Sequence, residues 1–457
     1  MNIDVDKIIK TAEAYAERYG VKFFDIRIER YTFSTVDVEN LEVSKVRQDS
    51  EVGMGVRALG KGWGFSSTSD IKEFESAIKN AMKLSKFSDY NVTIYQGDPI
   101  VDKAEIKERL PLFDISLEEK VDLGMKLAKE MQREYIKSVK VSYYEEIVEK
   151  LYLSSEGSQI MTKIPRVLLT LSAVARRGDI MQTYWKSVGG TGGFEIIKSY
   201  DVYSWAKKIS EKAVSLLSAK SPPSGKMDVL IDPELAGVFI HEAIGHAAEG
   251  DAIKDNSSIF VGLLGKKVGV EELTVVDDPT LEGKFGSYIY DDEGQPGGRV
   301  EIIKNGILNS FLTDRESSLV LEMPPNGHGR AEDYGSRPLV RMSNTYIEPG
   351  DWKFEEMIEE MKRGVYMLGD KGGEVDIVNG TFTFGAKEGY LIENGEIKHQ
   401  LRDVALSGKI LEILKEIRAI GNDLRIEFPG YCGKGQWVPV DDGGPHVLLK
   451  AIVGGLQ

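Results

Sequence analysis

Ser221-Pro222-Pro223-Ser224-Gly225 divides this 457-residue chain into two halves of different texture. Consecutive prolines fix φ and lack backbone N–H groups, so the helix that precedes them must end, and the flanking Ser and Gly favour a turn. Downstream, Asn305-Gly306, Asn379-Gly380 and Asn394-Gly395 each stand between β-prone runs, the pattern of tight hairpins whose central residues need positive φ. Upstream, helices and strands alternate. Val5, Ile8, Ile9, Ala12, Tyr15, Ala16 and Tyr19 keep a helical period that stops at Gly20. Val21 to about Phe65 reads as hairpins, and Val139 to Leu153 and Val167 to Ala175 read as strands. Asp70 with Glu73 and Ser116 with Glu119 make capping boxes. Gly189-Gly190-Thr191-Gly192-Gly193 reads as a flexible loop before a helix carrying Val202, Trp205, Ala206, Ile209 and Ala213. The expected fold class is α+β: an N-terminal α/β domain over residues 1–220, then a mainly antiparallel β domain over 226–457. In the second, one helix follows Asp232-Pro233 and another runs through Ile410, Ile413, Leu414, Ile417 and Ile420.

Composition narrows the function. A net charge of −15 argues against a nucleic-acid binder. One cysteine rules out an internal disulfide, Met1 to Lys10 lacks the apolar core of a signal peptide, and no apolar run approaches the ~20 residues that cross a bilayer. The expectation is a cytoplasmic protein that binds neither membrane nor nucleic acid. Glycines between Gly53 and Gly64 lack the G-x-G-x-x-G and G-K-[ST] patterns of phosphate loops.

His241-Glu242-Ala243-Ile244-Gly245-His246 is the sharpest chemical signal. In H-E-x-x-H the histidines are four apart and share a helix face. Here they are five apart, about 140° around a regular α-helix, which would splay the rings away from one metal. Gly245 marks where a π-type widening or a helix end could bring them together. Glu242 is placed to take a proton from a water attacking a carbonyl. Three candidates stand out for a third ligand: Glu249, Asp251 and Cys432, the only thiol, in Tyr431-Cys432-Gly433-Lys434-Gly435-Gln436. The thiolate is the best chemical match for zinc, with Lys434 close enough in sequence to ease its ionisation.

These residues resemble the TldD/PmbA family, the modulators of DNA gyrase, and its TldD-type metalloprotease branch in particular. The similar segments span much of the chain: His241 to Asp251, Asp291 to Gly298, Asn326 to Arg330, Arg341 to Asp351, Gly372 to Phe384, Tyr390 to Ile397 and Cys432 to Gln436. The resemblance implies a zinc peptidase in which His241, His246 and Cys432 bind Zn2+ and Glu242 is the catalytic base. It also implies an enclosed site that admits unfolded or short peptides, and pairing with a TldE/PmbA-type partner or a second copy. Asp441-Asp442-Gly443-Gly444-Pro445-His446 is more acidic than the family pattern.

His328 and Arg330, in Gly327-His328-Gly329-Arg330, are candidates to polarise the scissile carbonyl or grip a peptide carboxylate. His399 and His446 are expected on the solvated surface, and Asp277-Asp278 and Asp291-Asp292-Glu293 in turns. Two rival functions remain open: a metal-free cysteine hydrolase with Cys432 as nucleophile, and a non-catalytic modulator subunit.

Overall fold

Along strand β1 (Phe23–Glu39) the side chains alternate between two buried surroundings. Ile26 and Ile28 pack with helices α1 (Val5–Tyr19) and α2 (Phe74–Leu84), while Asp25, Arg27 and Glu29 on the opposite face are 2%, 2% and 3% exposed. An antiparallel strand with one charged face ordinarily turns that face to water. In this computed structural model, which describes residues 3–87 and 92–455, the second half of the chain covers it. Arg57 reaches Glu293 at 2.6 Å, and Arg166 donates to the carbonyls of Phe285 and Ser287 at 3.0 and 3.1 Å. Met1 and Asn2, the start of the stretch examined for a signal peptide, lie outside the described residues.

The first sheet contains β1, β2 (Glu42–Leu59), β3 (Trp63–Thr68), β4 (Val101–Glu105), β5 (Ile136–Ser154), β6 (Gln159–Arg177) and β7 (Ile180–Thr191), in the order β3-β2-β1-β5-β6-β4, with β7 also on β6. Only the β4–β6 pair is parallel. Helices α3 (Leu117–Glu130), the short α4 (Glu195–Lys198) and α5 (Val202–Leu216) bury their apolar stripes against this sheet, around Val141, Leu169 and Leu171. Gly20 caps α1 in the left-handed conformation (φ 68°), and Ser116 and Glu119 form the expected capping box. Asp70 caps a 3₁₀ turn leading into α2 instead, accepting the Lys72 N–H.

After the prolines, β8 (Gly225–Ile231) opens a second seven-stranded sheet, and helix α6 (Pro233–Ile240) follows it. A third, six-stranded sheet places Trp437–Gly444 between Asn344–Ile347 and Arg425–Gly433. Both sheets are antiparallel except for β8 with Arg363–Asp376 and Asn344–Ile347 with Trp437–Gly444. α6 lies in the core they share, with Phe239 5.2 Å from the Phe382 ring. The fold is therefore α+β with largely antiparallel sheets, as its sequence pattern predicts.

Two local expectations fail. Gly189, Gly190 and Thr191 are not a flexible loop: they finish β7, paired with Leu168, Val167 and Arg166. A Cβ on Gly190 would lie 2.2 Å from the Gly283 carbonyl oxygen, so close packing explains that glycine. The stretch with Ile410, Ile413, Leu414, Ile417 and Ile420 is helical only over Ile410–Ile413, and Ala419–Ile420 pairs as a strand. All five side chains are nevertheless buried, so the apolar pattern marked the core correctly and the element wrongly.

Candidate metal centre

α6 begins at Asp232, whose carboxylate accepts the Leu235 N–H at 2.9 Å, with Pro233 in the first turn. Its α-helical bonding ends at Ile240. His241–Gly245 is a π-helical turn closed by the His246 N–H on the His241 carbonyl, and His246–Ala248 is a 3₁₀ turn. An i→i+5 turn returns the chain to one face after five residues. The two imidazole rings therefore lie 5.3 Å apart instead of splaying. Gly245 has an ordinary helical φ of −57°, so backbone freedom is not what it supplies. A Cβ there would sit 1.8 Å from Met342 Sδ.

Cys432 arrives from the strand Arg425–Gly433, with Sγ 3.4 Å from His246 Nε2. One ligand atom each from His241, His246 and Cys432 falls within 4.8 Å of the others. Zinc bonds of about 2.1 Å to nitrogen and 2.3 Å to sulfur at a tetrahedral angle put ligand atoms about 3.6 Å apart. Two imidazoles and a thiolate at this spacing fit zinc in chemistry and in size. Arg341 anchors the loop by donating to the carbonyls of Cys432 and Gln436 at 2.6 and 2.9 Å.

Burial pushes the Cys432 thiol up, but His241 and His246 outweigh it and bring the pKa down to about 5. Burial opposes charge on both imidazoles as well. Asp442 and Cys432 nonetheless raise His241, while Glu249 and Cys432 raise His246 to about 10. Lys434, expected to ease ionisation of the thiol, instead meets Asp251 at 2.7 Å and Glu249 at 3.0 Å. The histidines do that work.

Each histidine is held from behind. Asp442 Oδ1 lies 2.8 Å from His241 Nδ1, and Glu249 Oε2 lies 3.2 Å from His246 Nδ1. Such carboxylates fix the tautomer and aim the other ring nitrogen. Glu249 and Asp251 thus sit outside the ligand cluster. Asp442 reaches His241 because α6 crosses the strand Trp437–Gly444 at two glycines: a Cβ on Gly237 would lie 2.5 Å from the Gly443 nitrogen. The acidic stretch Asp441-Asp442 was the available sequence signal, but nothing local tied it to His241, 201 residues away.

Glu242 is about one-third exposed, with Oε2 3.9 Å from His246 Nε2. It and the three cluster residues line a cavity of about 430 Å³ that β7 closes with Trp185 and Lys186. Sequence patterns did not single out that wall. His328 and Arg330 separate. His328 is fully buried, with Nε2 2.9 Å from Asp277 and Nδ1 2.9 Å from Asn326 Oδ1, and lines neither this cavity nor the neighbouring one. Arg330 lines the neighbouring cavity.

His446 is not solvated: it is 8% exposed, between Asp423 at 2.6 Å and the Tyr366 hydroxyl at 2.9 Å. His399 is half-buried. Of the paired acids, Asp292 and Glu293 do lie in a turn, as expected, but all five are buried. Asp277 is buried at the end of the strand Val275–Asp277, and Asp278, Asp291, Asp292 and Glu293 are buried as well, tying loops by hydrogen bonds. Among the described residues no helix is long and apolar enough to cross a membrane.

Comparison with known proteins extends over the whole chain. Patterns described as PmbA/TldA metallopeptidase domain 1, central domain and C-terminal domain match residues 24–85, 110–217 and 224–455. A metalloprotease of Methanothermobacter thermautotrophicus is 41% identical over 100% of both chains. The zinc metalloprotease TldD homolog of Saccharolobus solfataricus is 35% identical over 96% of this chain and 98% of its own. Among solved structures, TldE from Thermococcus kodakarensis superposes with a TM-score of 0.79 at 20% identity, covering 98% of this chain and 99% of its own. At that identity the likeness speaks for the fold alone.

Proposed function

The chain belongs to the PmbA/TldD metallopeptidase family, and from that premise we propose that it is a zinc-dependent peptidase that hydrolyses peptide bonds of short or unfolded peptides. The convergence of His241, His246 and Cys432 to within 4.8 Å, with Glu242 on the same turn, carries this reading. Zinc, when bound, supplies a Lewis acid that acidifies water and polarises a carbonyl. His241 and His246 would hold it through their Nε2 atoms, with Asp442 and Glu249 keeping each Nδ1 proton in place. Cys432 would contribute the thiolate. Glu242 would accept the proton of the attacking water and return it to the departing amine. The cavity bounded by β7 favours an extended chain over a folded surface. A TldE/PmbA-type chain is the proposed partner, with a second copy of this chain as the other arrangement.

Glu242→Gln keeps the shape of the turn and removes the base. Peptide cleavage should fall by about 100-fold or more with zinc content unchanged; wild-type turnover in the zinc-loaded variant would defeat the mechanism. The 3.4 Å contact between Cys432 and His246 also suits a metal-free cysteine hydrolase. Cleavage undiminished after chelation would select that reading.

A further inference from the structure

Beside the metal centre lies a second cavity of about 540 Å³, and Tyr431 and Trp437 belong to the walls of both. Its floor is the charged face of the first sheet. Most carboxylates of that wall are engaged by hydrogen bonds from the protein, while Glu29 Oε1 has ion-pair neighbours but no hydrogen-bond partner. Glu146 accepts from the Tyr144 hydroxyl at 2.7 Å and from Arg166 at 3.4 Å. Asp291 accepts the N–H groups of Glu293, Gln295 and Gly329 at 2.8 to 2.9 Å. Asp292 is paired with Lys150, and Glu29 lies 3.6 Å from both Arg27 and Lys150.

Arg330 is different. It is 4% exposed, its guanidinium lies 4.8 Å from the Tyr288 ring, and it donates to the Met342 carbonyl. Among the described residues no carboxylate comes within 4.0 Å of it, and Nε and Nη2 have no protein acceptor, on the wall of the cavity. A buried guanidinium is a planar fork of donors whose best partner is a carboxylate, and leaving it without one is costly. Tyr288 and Tyr431 line the same cavity and supply aromatic surface beside whatever bears that carboxylate.

We propose that this cavity takes a carboxylate of the peptide substrate, gripped by Arg330, with the residue that bears it packed against Tyr288 and Tyr431. The proposal rests on the peptidase reading above and names its substrate class: peptides anchored by a C-terminal carboxylate or by an Asp or Glu side chain near the cleaved bond.

Binding tests it apart from turnover. One short labelled peptide is made in four forms, with a free or amidated C-terminus and with an internal Glu or Gln, and its affinity for Glu242→Gln protein is measured by fluorescence anisotropy. Loss of the recognised carboxylate should weaken binding about ten-fold or more. Loss on amidation identifies the terminus, and loss on Glu-to-Gln exchange identifies the side chain. The preference should persist after zinc chelation and collapse in Arg330→Gln. Arg330→Lys, which keeps the charge but not the fork, should shrink it, and serves if the Gln variant does not fold. Equal binding of all four forms, a preference that vanishes on chelation, or one unchanged in both variants overturns the assignment. Equal binding together with cleavage by wild-type protein would leave the peptidase intact and remove the carboxylate site; the preference without any cleavage would do the reverse.

Discussion

Four histidines, three buried and His246 half-buried, share one feature and part on another. His241, His246, His328 and His446 each have a ring nitrogen against a carboxylate: Asp442, Glu249, Asp277 and Asp423, at 2.6 to 3.2 Å. In His328 and His446 the second nitrogen is also taken, by Asn326 and by the Tyr366 hydroxyl. In His241 and His246 it is turned toward Cys432. A carboxylate partner therefore does not make a histidine a ligand. What distinguishes the metal centre is that the second nitrogens of two neighbouring rings converge on one thiolate, so that three ligand atoms face one point.

Replacing the thiolate should break the contrast most severely. Cys432→Ser puts a hard oxygen where sulfur stood, and zinc should drop from about one per chain to a small fraction of that, with peptide cleavage lost alongside. Elemental analysis reads it directly; full zinc in this variant would remove Cys432 from the ligand set.

A smaller effect separates the two classes through their carboxylates. Asp442→Asn should weaken zinc binding about 10- to 100-fold, because the charge behind His241 is gone. Asp277→Asn should leave zinc affinity unchanged and instead cost about 1–3 kcal/mol of stability, since Asp277 accepts from His328, Ser343 and Thr345. Competition with a chelator and urea unfolding measure the two, and equal loss of zinc affinity in both variants would erase the distinction.

The smallest effect is on pH dependence. Burial holds His446 below the usual histidine range, outweighing Asp423. The unfolded chain therefore binds a proton near pH 6.5 that the folded chain refuses, so this residue's stabilisation is present above pH 6.5 and is lost as pH falls below it. His446→Gln should make the decline in urea midpoint between pH 7 and 5 shallower. A slope identical to wild type would mean that His446 takes up its proton in the native state as readily as in the unfolded one.

What the sequence determined by itself was local. The five-residue spacing of His241 and His246 called for a π turn or a helix end, and the π turn forms, its closing hydrogen bond lying within the segment, although Gly245 serves there as clearance for Met342 and not as a backbone hinge. The same holds for Asn305-Gly306 and Asn394-Gly395, whose residues adopt positive φ at their hairpin turns. The apolar pattern located core residues even where, as over Ile410 to Ile420, it named the wrong element. Tertiary structure alone decided what crosses the chain. It took Lys434 from Cys432 and gave it to Asp251, buried the charged face of β1, carried His446 out of solvent, and set Asp442 behind His241. Burial and electrostatic pairing depend on which surfaces meet, here through contacts as close as that of Gly237 with Gly443, and no periodicity along the chain encodes which charge will face which ring.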